Sequence, residues 1–190
     1  MTKQEIRSEY QQLRLALSPE RLSLLSEKLS AFFFSNVDLS SVNTIHLFLP
    51  ILSKNEPDTW LIIRKLKNEF PHVRISIPRV ENDHLANFYF ESDSQLKKNK
   101  WGIQEPAFGV STPTEKIDLV IVPLLAFDKK GSRLGYGKGF YDKFLSTCRS
   151  NCKKIGLSFF EPYLELIPVD QHDLPLDAVI TPSQVFEFKV

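Results

Sequence analysis

The sequence predicts an α/β fold with a mostly parallel sheet that is covered on both faces. Segments with strand character alternate with segments with helical character along most of the chain, which is typical of such sheets. The run "KIDLVIVPLLAF" (116–127) is the most apolar of them, as expected of a central strand that is buried on both faces. Two amphipathic stretches open the chain, before the first predicted strand.

Length and composition exclude several classes of protein. The chain has 190 residues, 42% hydrophobic and 25% charged, the balance of an ordinary globular protein, and we expect residues 1–190 to form one domain. A net charge of +1 gives no overall field for nucleic acid or a membrane. The polar start, "MTKQEIRSEY", lacks a signal core, and no window is apolar enough to span a bilayer. We therefore expect a cytoplasmic monomer.

The first two elements are predicted to be helices. In the first, over residues 2–17, apolar side chains recur at helical spacing: Ile6, Tyr10, Leu13 and Leu17. Ser18 and Pro19 suit the cap and the first turn of a second helix. That helix continues to about residue 34, with its own apolar stripe: Leu22, Leu25, Leu29 and Phe32.

From residue 44 onward strands and helices alternate. Strands are expected at 44–50, 73–78, 87–92, 116–127, 153–160 and 177–182, and helices at 58–70, capped by Asp58, and at 141–148. The segment 93–115 is the longest predicted loop, and long loops in compact domains are often functional. Cys148 and Cys152 are a single close pair, which cannot supply four zinc ligands, so we expect free structural thiols.

The stretch "DKKGSRLGYGKGFYDKF" (128–144) contains four of the seven glycines. It follows the predicted central strand and precedes a helix, the place where α/β sheets bind ligands. Gly135, Gly137 and Gly139 allow positive φ angles and N–H groups that face an anion, and the helix adds its positive amino end. Lys138 and Arg133 suit phosphate oxygens.

Asp142, just inside that helix, is placed to hold Mg²⁺ against the same phosphate oxygens. The segment is neither a Walker A loop nor a dinucleotide fingerprint. A tight turn with solvated charges is the alternative for the whole stretch.

Five further residues are candidates for the site, although their residue types also fit ordinary surface roles. Lys3 and Arg7 are neighbours on one helix face, where like charges repel unless an anion lies between them. Glu56 lies on a strand-to-helix loop and could accept two N–H groups from a heterocycle. Asp173 or Asp177, before the last predicted strand, could be a second metal ligand.

In combination, these segments resemble the 5-formyltetrahydrofolate cyclo-ligase family along the whole chain. The resemblance rests on "KQEIR" (3–7), "FLPILSKNEPDTW" (48–60), "IPR" (77–79), "WGIQEP" (101–106), "GSRLGYGKGFYD" (131–142) and "HDLPLDAVITP" (172–182). The glycine segment is the most specific of them. The resemblance implies a three-layer α/β sandwich, similar to the sugar-phosphate isomerase and CoA transferase type.

The resemblance also implies a reaction, the ATP-dependent ring closure of 5-formyltetrahydrofolate to 5,10-methenyltetrahydrofolate. The formyl oxygen attacks the γ-phosphate of ATP, and the second folate nitrogen then displaces phosphate, leaving ADP as the other product. The protein would position the reactants and neutralise charge. The implied ligands are ATP as co-substrate, Mg²⁺ and the folate.

Site residues follow from the same resemblance. ATP would be bound by Lys3, Gln4, Glu5, Ile6, Arg7, Arg133, Leu134, Gly135, Tyr136, Gly137, Lys138, Gly139, Phe140 and Tyr141. The folate would be bound by Arg7, Leu49 (or Ile51), Glu56, Tyr136, Gly137, Lys138, Gly139 and Phe140. Lys138 and Arg133 would be catalytic, and Asp142 and Asp173 would hold the metal.

Some family members carry Arg where this chain has Tyr136. Either Lys138 and Arg133 then neutralise more of the phosphate charge, or the tyrosine stacks or donates from its hydroxyl. A sugar-phosphate isomerase of similar fold and a non-catalytic nucleotide or folate binder are the rival interpretations. The intact run from Arg133 to Asp142 argues against the second rival.

Overall fold

A computed structural model of the chain describes residues 1–99 and 102–188. In those residues, seven strands form one sheet that is parallel except at its two edges, where the outermost strands are antiparallel to their neighbours. The predicted α/β class with a mostly parallel sheet is confirmed.

From one edge of this sheet to the other, the strands are β11 (Val185–Glu187), β10 (Ala178–Ile180), β9 (Lys153–Leu157), β6 (Leu119–Pro123), β1 (Thr44–His46), β2 (Arg74–Glu81) and β3 (His84–Tyr89). Two small hairpins lie outside it: β4 (Leu96–Lys98) with β5 (Gln104–Pro106), and β7 (Ala126–Phe127) with β8 (Arg133–Leu134). The helices are α1 (Lys3–Leu15), α2 (Pro19–Asn36), α3 (Trp60–Glu69) and α4 (Phe140–Thr147).

Alternating side chains of β6, the central strand, divide the core into two layers. Leu119 and Ile121 face α2 and α3 in one buried cluster, while Val120 and Val122 face α4 in another. This is the two-residue period of a strand that is covered on both sides. The three-layer arrangement implied by the resemblance is therefore the one the structure has.

The first helix buries a stripe that differs from the prediction. Its N-terminus carries a capping box, in which Thr2 and Glu5 bond each other's backbone N–H. The buried positions are Ile6, Tyr10 and Arg14, at four-residue intervals, whereas Leu13 is 45% exposed. The prediction that Leu13 lies on the buried stripe is wrong. The buried residues recur every four positions from Ile6, and this series includes Arg14 but not Leu13.

Several predicted elements end earlier than expected. The run 116–127 is not one strand, because β6 stops at Pro123, which has no backbone N–H to continue the ladder. Its last two residues begin the β7–β8 hairpin. Of the predicted strand 87–92, only residues 87–89 lie in β3, as its second half, and β3 follows β2 through a turn with Asn82 at φ 51°. Strand β11 was not predicted.

The segment 93–115 contains regular structure of its own, so its prediction as a loop is wrong. Its described part contains the β4–β5 hairpin and two short 3₁₀ turns, Asp93–Gln95 and Thr114–Lys116. Buried Gln95 ties it to the sheet, accepting from the N–H of Glu91 and donating to the carbonyl of Tyr89.

Two smaller expectations can also be compared with the structure. Both cysteines are free thiols, as predicted, and Cys152 is buried in the cluster on the α4 side of the sheet. Among the described residues, no helix combines the length and apolar character that crossing a membrane requires.

Candidate active site

Within the glycine segment (128–144), residues 135–139 connect β8 to α4. Two of the three glycines in this connection have the predicted positive φ angle. Gly137 and Gly139 have φ angles of 84° and 69°, in the left-handed region that favours glycine. Gly139 is the N-cap of α4. Gly135 does not have a positive φ angle, so the prediction for that residue is wrong.

Backbone N–H groups from 136 to 142 have no acceptor in the described part of the chain. The next N–H along the chain, that of Lys143, donates to the Gly139 carbonyl over 3.0 Å. Buried or half-buried N–H groups are normally paired with protein, water or a ligand, and the first turn of a helix leaves its N–H groups pointing outward. These donors are therefore available to an anion.

Two charged residues of the segment are paired with each other. Arg133, whose side chain is only 5% exposed, donates to Asp142 Oδ1 over 2.7 Å and also to the carbonyl of Leu174. The N–H of Leu174 donates to the same Asp142 oxygen over 3.3 Å. Lys138 is exposed and, among the described residues, has no ion-pair partner.

Lys3 and Asp173 also lie together. The Lys3 ammonium is 2.6 Å from Oδ2 of Asp173 and 2.6 Å from Oδ2 of Asp170. Burial disfavours the ammonium charge, but the two carboxylates outweigh it and raise the pKa of Lys3. Burial alone would raise the pKa of Asp173, yet hydrogen bonds from Lys3 and from the Asp170 N–H lower it.

Asp142 and Asp173 fit the donor set that Mg²⁺ takes when it is bound mostly by phosphates. No group of three or more His, Cys, Asp or Glu side chains converges in the described residues, but one or two carboxylates suffice for such an ion. In each of these two residues one oxygen is engaged by protein and the other has no protein partner among the described residues. Asp177 instead accepts from the N–H of Lys154, at the start of β9, and forms an ion pair with the ammonium of the same lysine.

Helix α1 borders the glycine segment through Arg7. Its Nε donates to the carbonyl of Gly135 over 3.0 Å, and a Cβ added to Gly137 would lie 3.3 Å from its guanidinium carbon. Of the other residues predicted near ATP, Gln4 is exposed, Glu5 caps the helix and Ile6 is fully buried against Leu134.

A second polar cluster surrounds Glu56, which is only 5% exposed. Its Oε2 accepts from the N–H of Ile51 over 2.8 Å, and its Oε1 accepts from the hydroxyl of Tyr136 over 2.7 Å. Arg14 donates to the same hydroxyl. Burial raises the pKa of Glu56, while these hydrogen bonds and the charges of Arg14 and Lys54 act in the opposite direction.

The remaining predicted site residues line or support this region. Leu49 is buried in the core on the α2–α3 side, whereas Ile51 is half-buried. Tyr141 is half-buried, and its buried hydroxyl has no partner among the described residues. Phe140 is half-buried at the first position of α4. Trp101, in the motif "WGIQEP", lies outside the described residues.

Arg14 and Lys54 were missed by the sequence analysis. Arg14 falls on the buried stripe with Ile6 and Tyr10, and a charged residue at such a position is a signal that could have been read. Lys54 has its ammonium 5.0 Å from the centroid of the Tyr136 ring, a contact between distant loops for which the sequence offers no spacing signal.

Two surface hollows lie elsewhere, so cavity size alone does not indicate this site. One, of about 520 Å³, lies between α3 and the segment around Leu96 and is lined by Trp60 and Phe90. The other, of about 740 Å³, lies at the amino ends of the strands beside Arg74 and Asp118. We base the site on the unpaired donors and paired charges at the carboxyl end of the sheet, where ligands bind in such folds.

Comparison with known proteins gives a consistent result. Residues 1–182 match the model of the 5-formyltetrahydrofolate cyclo-ligase family. The chain is 31% identical over 183 residues to the 5-formyltetrahydrofolate cyclo-ligase of Escherichia coli strain K12, covering 93% of this chain and 98% of that protein. It is 30% identical over 189 residues to the Mus musculus protein of the same name, covering 94% and 92%.

Solved structures agree with these matches. The NMR structure of Aquifex aeolicus 5,10-methenyltetrahydrofolate synthetase is similar with a TM-score of 0.85 and 30% identity, covering 100% of this chain and 94% of that one. The 5,10-methenyltetrahydrofolate synthetase from Mycoplasma pneumoniae is similar with a TM-score of 0.74 and 26% identity, covering 96% and 99%.

Proposed function

Because the chain belongs to the 5-formyltetrahydrofolate cyclo-ligase family, a family of ATP-dependent ligases, we propose that it converts 5-formyltetrahydrofolate to 5,10-methenyltetrahydrofolate. ATP and Mg²⁺ are required, and ADP and phosphate are the other products. Residues 1–190 act as one catalytic domain, as a monomer in the cytoplasm, in folate one-carbon metabolism.

The chemistry requires that a formamide oxygen become a good leaving group. Attack of that oxygen on the γ-phosphorus of ATP breaks the bond to ADP and forms a phosphorylated formyl group. The second folate nitrogen then attacks the formyl carbon, and the carbon–oxygen bond breaks with release of phosphate. The protein contributes positioning and charge neutralisation rather than covalent chemistry.

The observation that carries the proposal is the row of unpaired N–H groups at 136–142 beside Lys138. Such a row at the start of a helix binds phosphate through its donors and through the positive end of the helix. Lys138 adds a mobile positive charge that no protein group neutralises in the described residues. We assign this segment, with Arg133, to the terminal phosphates of ATP.

The ion pairs Arg133–Asp142 and Lys3–Asp173 provide both the metal ligands and further cations for the phosphates. In the proposal Asp142 and Asp173 hold Mg²⁺ by their oxygens, and the ion neutralises charge on the transferred phosphoryl group when bound. Their partners, Arg133 and Lys3, then turn to phosphate oxygens, so that no charge is left buried without a partner.

The folate lies beside the nucleotide in this proposal. Glu56 accepts N–H groups of the pterin ring, and Arg7 reaches both ligands from α1. Ile51 rather than Leu49 provides the apolar wall, because it is half-buried and Leu49 belongs to the core. Residues 136–140 face both ligands.

The test is to mix the protein with Mg-ATP and 5-formyltetrahydrofolate and to follow the near-ultraviolet absorbance of the methenyl product. We expect a rise that requires ATP and Mg²⁺ together, with one ADP released for each methenyl group. If both ligands bind but no ATP-dependent rise occurs, the chain is a non-catalytic binder and the proposal is wrong.

A further inference from the structure

The hydroxyl of Tyr136 stands between a buried donor and a buried acceptor. Arg14 donates to its oxygen, and the hydroxyl in turn donates to Glu56 Oε1 over 2.7 Å. The three groups come from α1, the glycine segment and the loop after β1. If the Tyr136 side chain moved away, a slot wide enough for one hydrogen-bonding group would remain between the Arg14 guanidinium and the Glu56 carboxylate.

The guanidinium of Arg14 and the carboxylate of Glu56, which border this slot, are charged groups with little access to water. Arg14 is 3% exposed and Glu56 is 5% exposed. The Arg14 Nη1 donates to the carbonyl of Leu124 over 3.3 Å, but its Nε is buried without a partner among the described residues. A buried guanidinium that is left partly unbonded is costly for folding alone, which points to a role for Arg14 in binding.

Tyr136, in contrast, is attached to a backbone that has few ties. Gly135 and Gly137 flank it, and the backbone N–H groups from 136 to 142 have no acceptor within the described ranges. Its half-buried ring packs against the apolar cluster that α1 buries, and the Arg14 guanidinium and the Lys54 ammonium lie 5.5 Å and 5.0 Å from the ring centroid. The side chain can therefore leave the slot without disrupting a helix or a strand.

The pterin ring of a folate carries the same pair of groups as the phenol. Its lactam edge has a carbonyl oxygen that accepts and an adjacent N–H that donates. We propose that Arg14 is a specificity-determining residue that donates to the ring carbonyl of the folate, and that Tyr136 occupies this place until the substrate displaces it. The inference rests on the proposed function, in which Glu56 accepts the ring N–H groups.

The inference predicts discrimination between two ligands that differ at the lactam edge of the ring. We would titrate the full-length protein, without ATP, with 5-formyltetrahydrofolate and with its 4-amino-4-deoxy analogue, in which an amino donor replaces the carbonyl and the adjacent ring nitrogen carries no hydrogen. A charge-assisted hydrogen bond corresponds to a preference of about 10- to 100-fold for the lactam. In Arg14→Met this preference should fall to about threefold or less.

A matched control is Arg21→Met, because Arg21 is an exposed arginine on the neighbouring helix α2. It should keep the full preference for the lactam. An Arg14→Met protein that is folded, as judged by its thermal unfolding, and that discriminates as well as the wild type would overturn the inference.

A second variant tests the displacement without removing the buried cation. Tyr136→Phe keeps the ring but removes the hydroxyl that occupies the slot, so we expect 5-formyltetrahydrofolate to bind about three- to tenfold more tightly. Weaker binding by this variant would mean that the hydroxyl supports the ligand rather than giving way to it, and would contradict the inference even if Arg14→Met does not fold.

Failure of the inference is distinguishable from failure of the proposed function. Glu56→Gln should weaken binding of both ligands. If it changes neither affinity, the proposed pterin contact is wrong. If Glu56→Gln weakens binding while Arg14→Met keeps the full preference for the lactam, the pterin contact holds and only the role of Arg14 is wrong.

Discussion

The ammonium of Lys3 lies 2.6 Å from the carboxylate of Asp173, a residue 170 positions away in the sequence. The resemblance assigns the first residue to ATP and the second to Mg²⁺. Arg133 and Asp142 form a second pair of the same kind. In the described structure each proposed metal ligand is thus neutralised by a proposed phosphate-binding cation, and we infer that binding of Mg-ATP exchanges partners in both pairs.

Asp142→Asn should raise the Mg²⁺ concentration that gives half-maximal activity by about tenfold or more, because an amide is a weaker ligand for Mg²⁺ than a carboxylate. The measurement is the initial rate at fixed ATP over a magnesium series. Asp93→Asn is the control, since Asp93 is exposed and lines the surface hollow beside α3. An unchanged magnesium dependence would remove Asp142 as a ligand.

Lys138→Ala should raise the KM for ATP and lower kcat while leaving the fold intact. The side chain is exposed and has no ion pair in the described structure, so its removal costs little stability. A lost charge-assisted contact to phosphate predicts a decrease in kcat/KM of about 10- to 100-fold. Lys130→Ala, at an exposed lysine in the β7–β8 turn, should behave as wild type. Normal turnover of Lys138→Ala at low ATP would disprove the contact.

Binding of 5-formyltetrahydrofolate should weaken as the pH falls. Burial raises the pKa of Glu56 above its ordinary value of 4.5, although Ile51, Tyr136, Arg14 and Lys54 oppose that shift. Burial and, to a lesser extent, the charge of this carboxylate raise the pKa of Tyr141. Only the ionised form accepts two N–H groups, so affinity is retained above the folded-state pKa and is lost as the pH falls through it.

The measurement for this prediction is the folate dissociation constant, without ATP, over a pH series. The loss of affinity should begin at a higher pH than an ordinary glutamate would give. Glu56→Gln should remove the dependence, and Glu115→Gln, at an exposed position, should keep it. A dependence that persists in Glu56→Gln would assign the titration to another group.

Gly156→Ala should destabilise the fold. Gly156 lies in β9 between Val122 and Val179 of the neighbouring strands. An added Cβ would lie 2.5 Å from Leu124 Cδ2 and 2.8 Å from Leu176 Cδ1. Overpacking of this kind costs about 1 to 3 kcal/mol, which denaturant unfolding would measure.

The control for Gly156→Ala is the same substitution at Gly135. An added Cβ there meets nothing within 4 Å, and the φ angle is not positive, so we expect a change of less than about 0.5 kcal/mol. Equal effects of the two substitutions would contradict the packing described for β9.

Much of the fold could be predicted from local pattern. The run 116–127 indicated the central strand because a strand buried on both faces needs apolar residues at every position. Its end could not be placed, since the apolar pattern continues past Pro123 into a hairpin that is equally buried. Strand β11 escaped notice because it is three residues long and half-exposed at a sheet edge.

The candidate site was predictable where the chemistry lies in one continuous segment, as it does from 133 to 142. The ion pair of Lys3 with Asp173 could not be predicted, because it depends on how the irregular segment after β9 returns across the first helix. Arg14 was missed because a charged residue is normally assigned to the solvent-facing side of a helix. Only its spacing from Ile6 and Tyr10 indicates burial.

The central claim is that the N–H groups from 136 to 142 bind the terminal phosphates of ATP. The most direct measurement is to record the backbone amide NMR signals and hydrogen exchange of the protein with and without a non-hydrolysable ATP analogue and Mg²⁺. We predict large shifts and slower exchange for residues 136–142, with little change in the exposed stretch 164–166. If the analogue binds while the amides of 136–142 keep their ligand-free shifts and exchange rates, the nucleotide lies elsewhere and the account is contradicted.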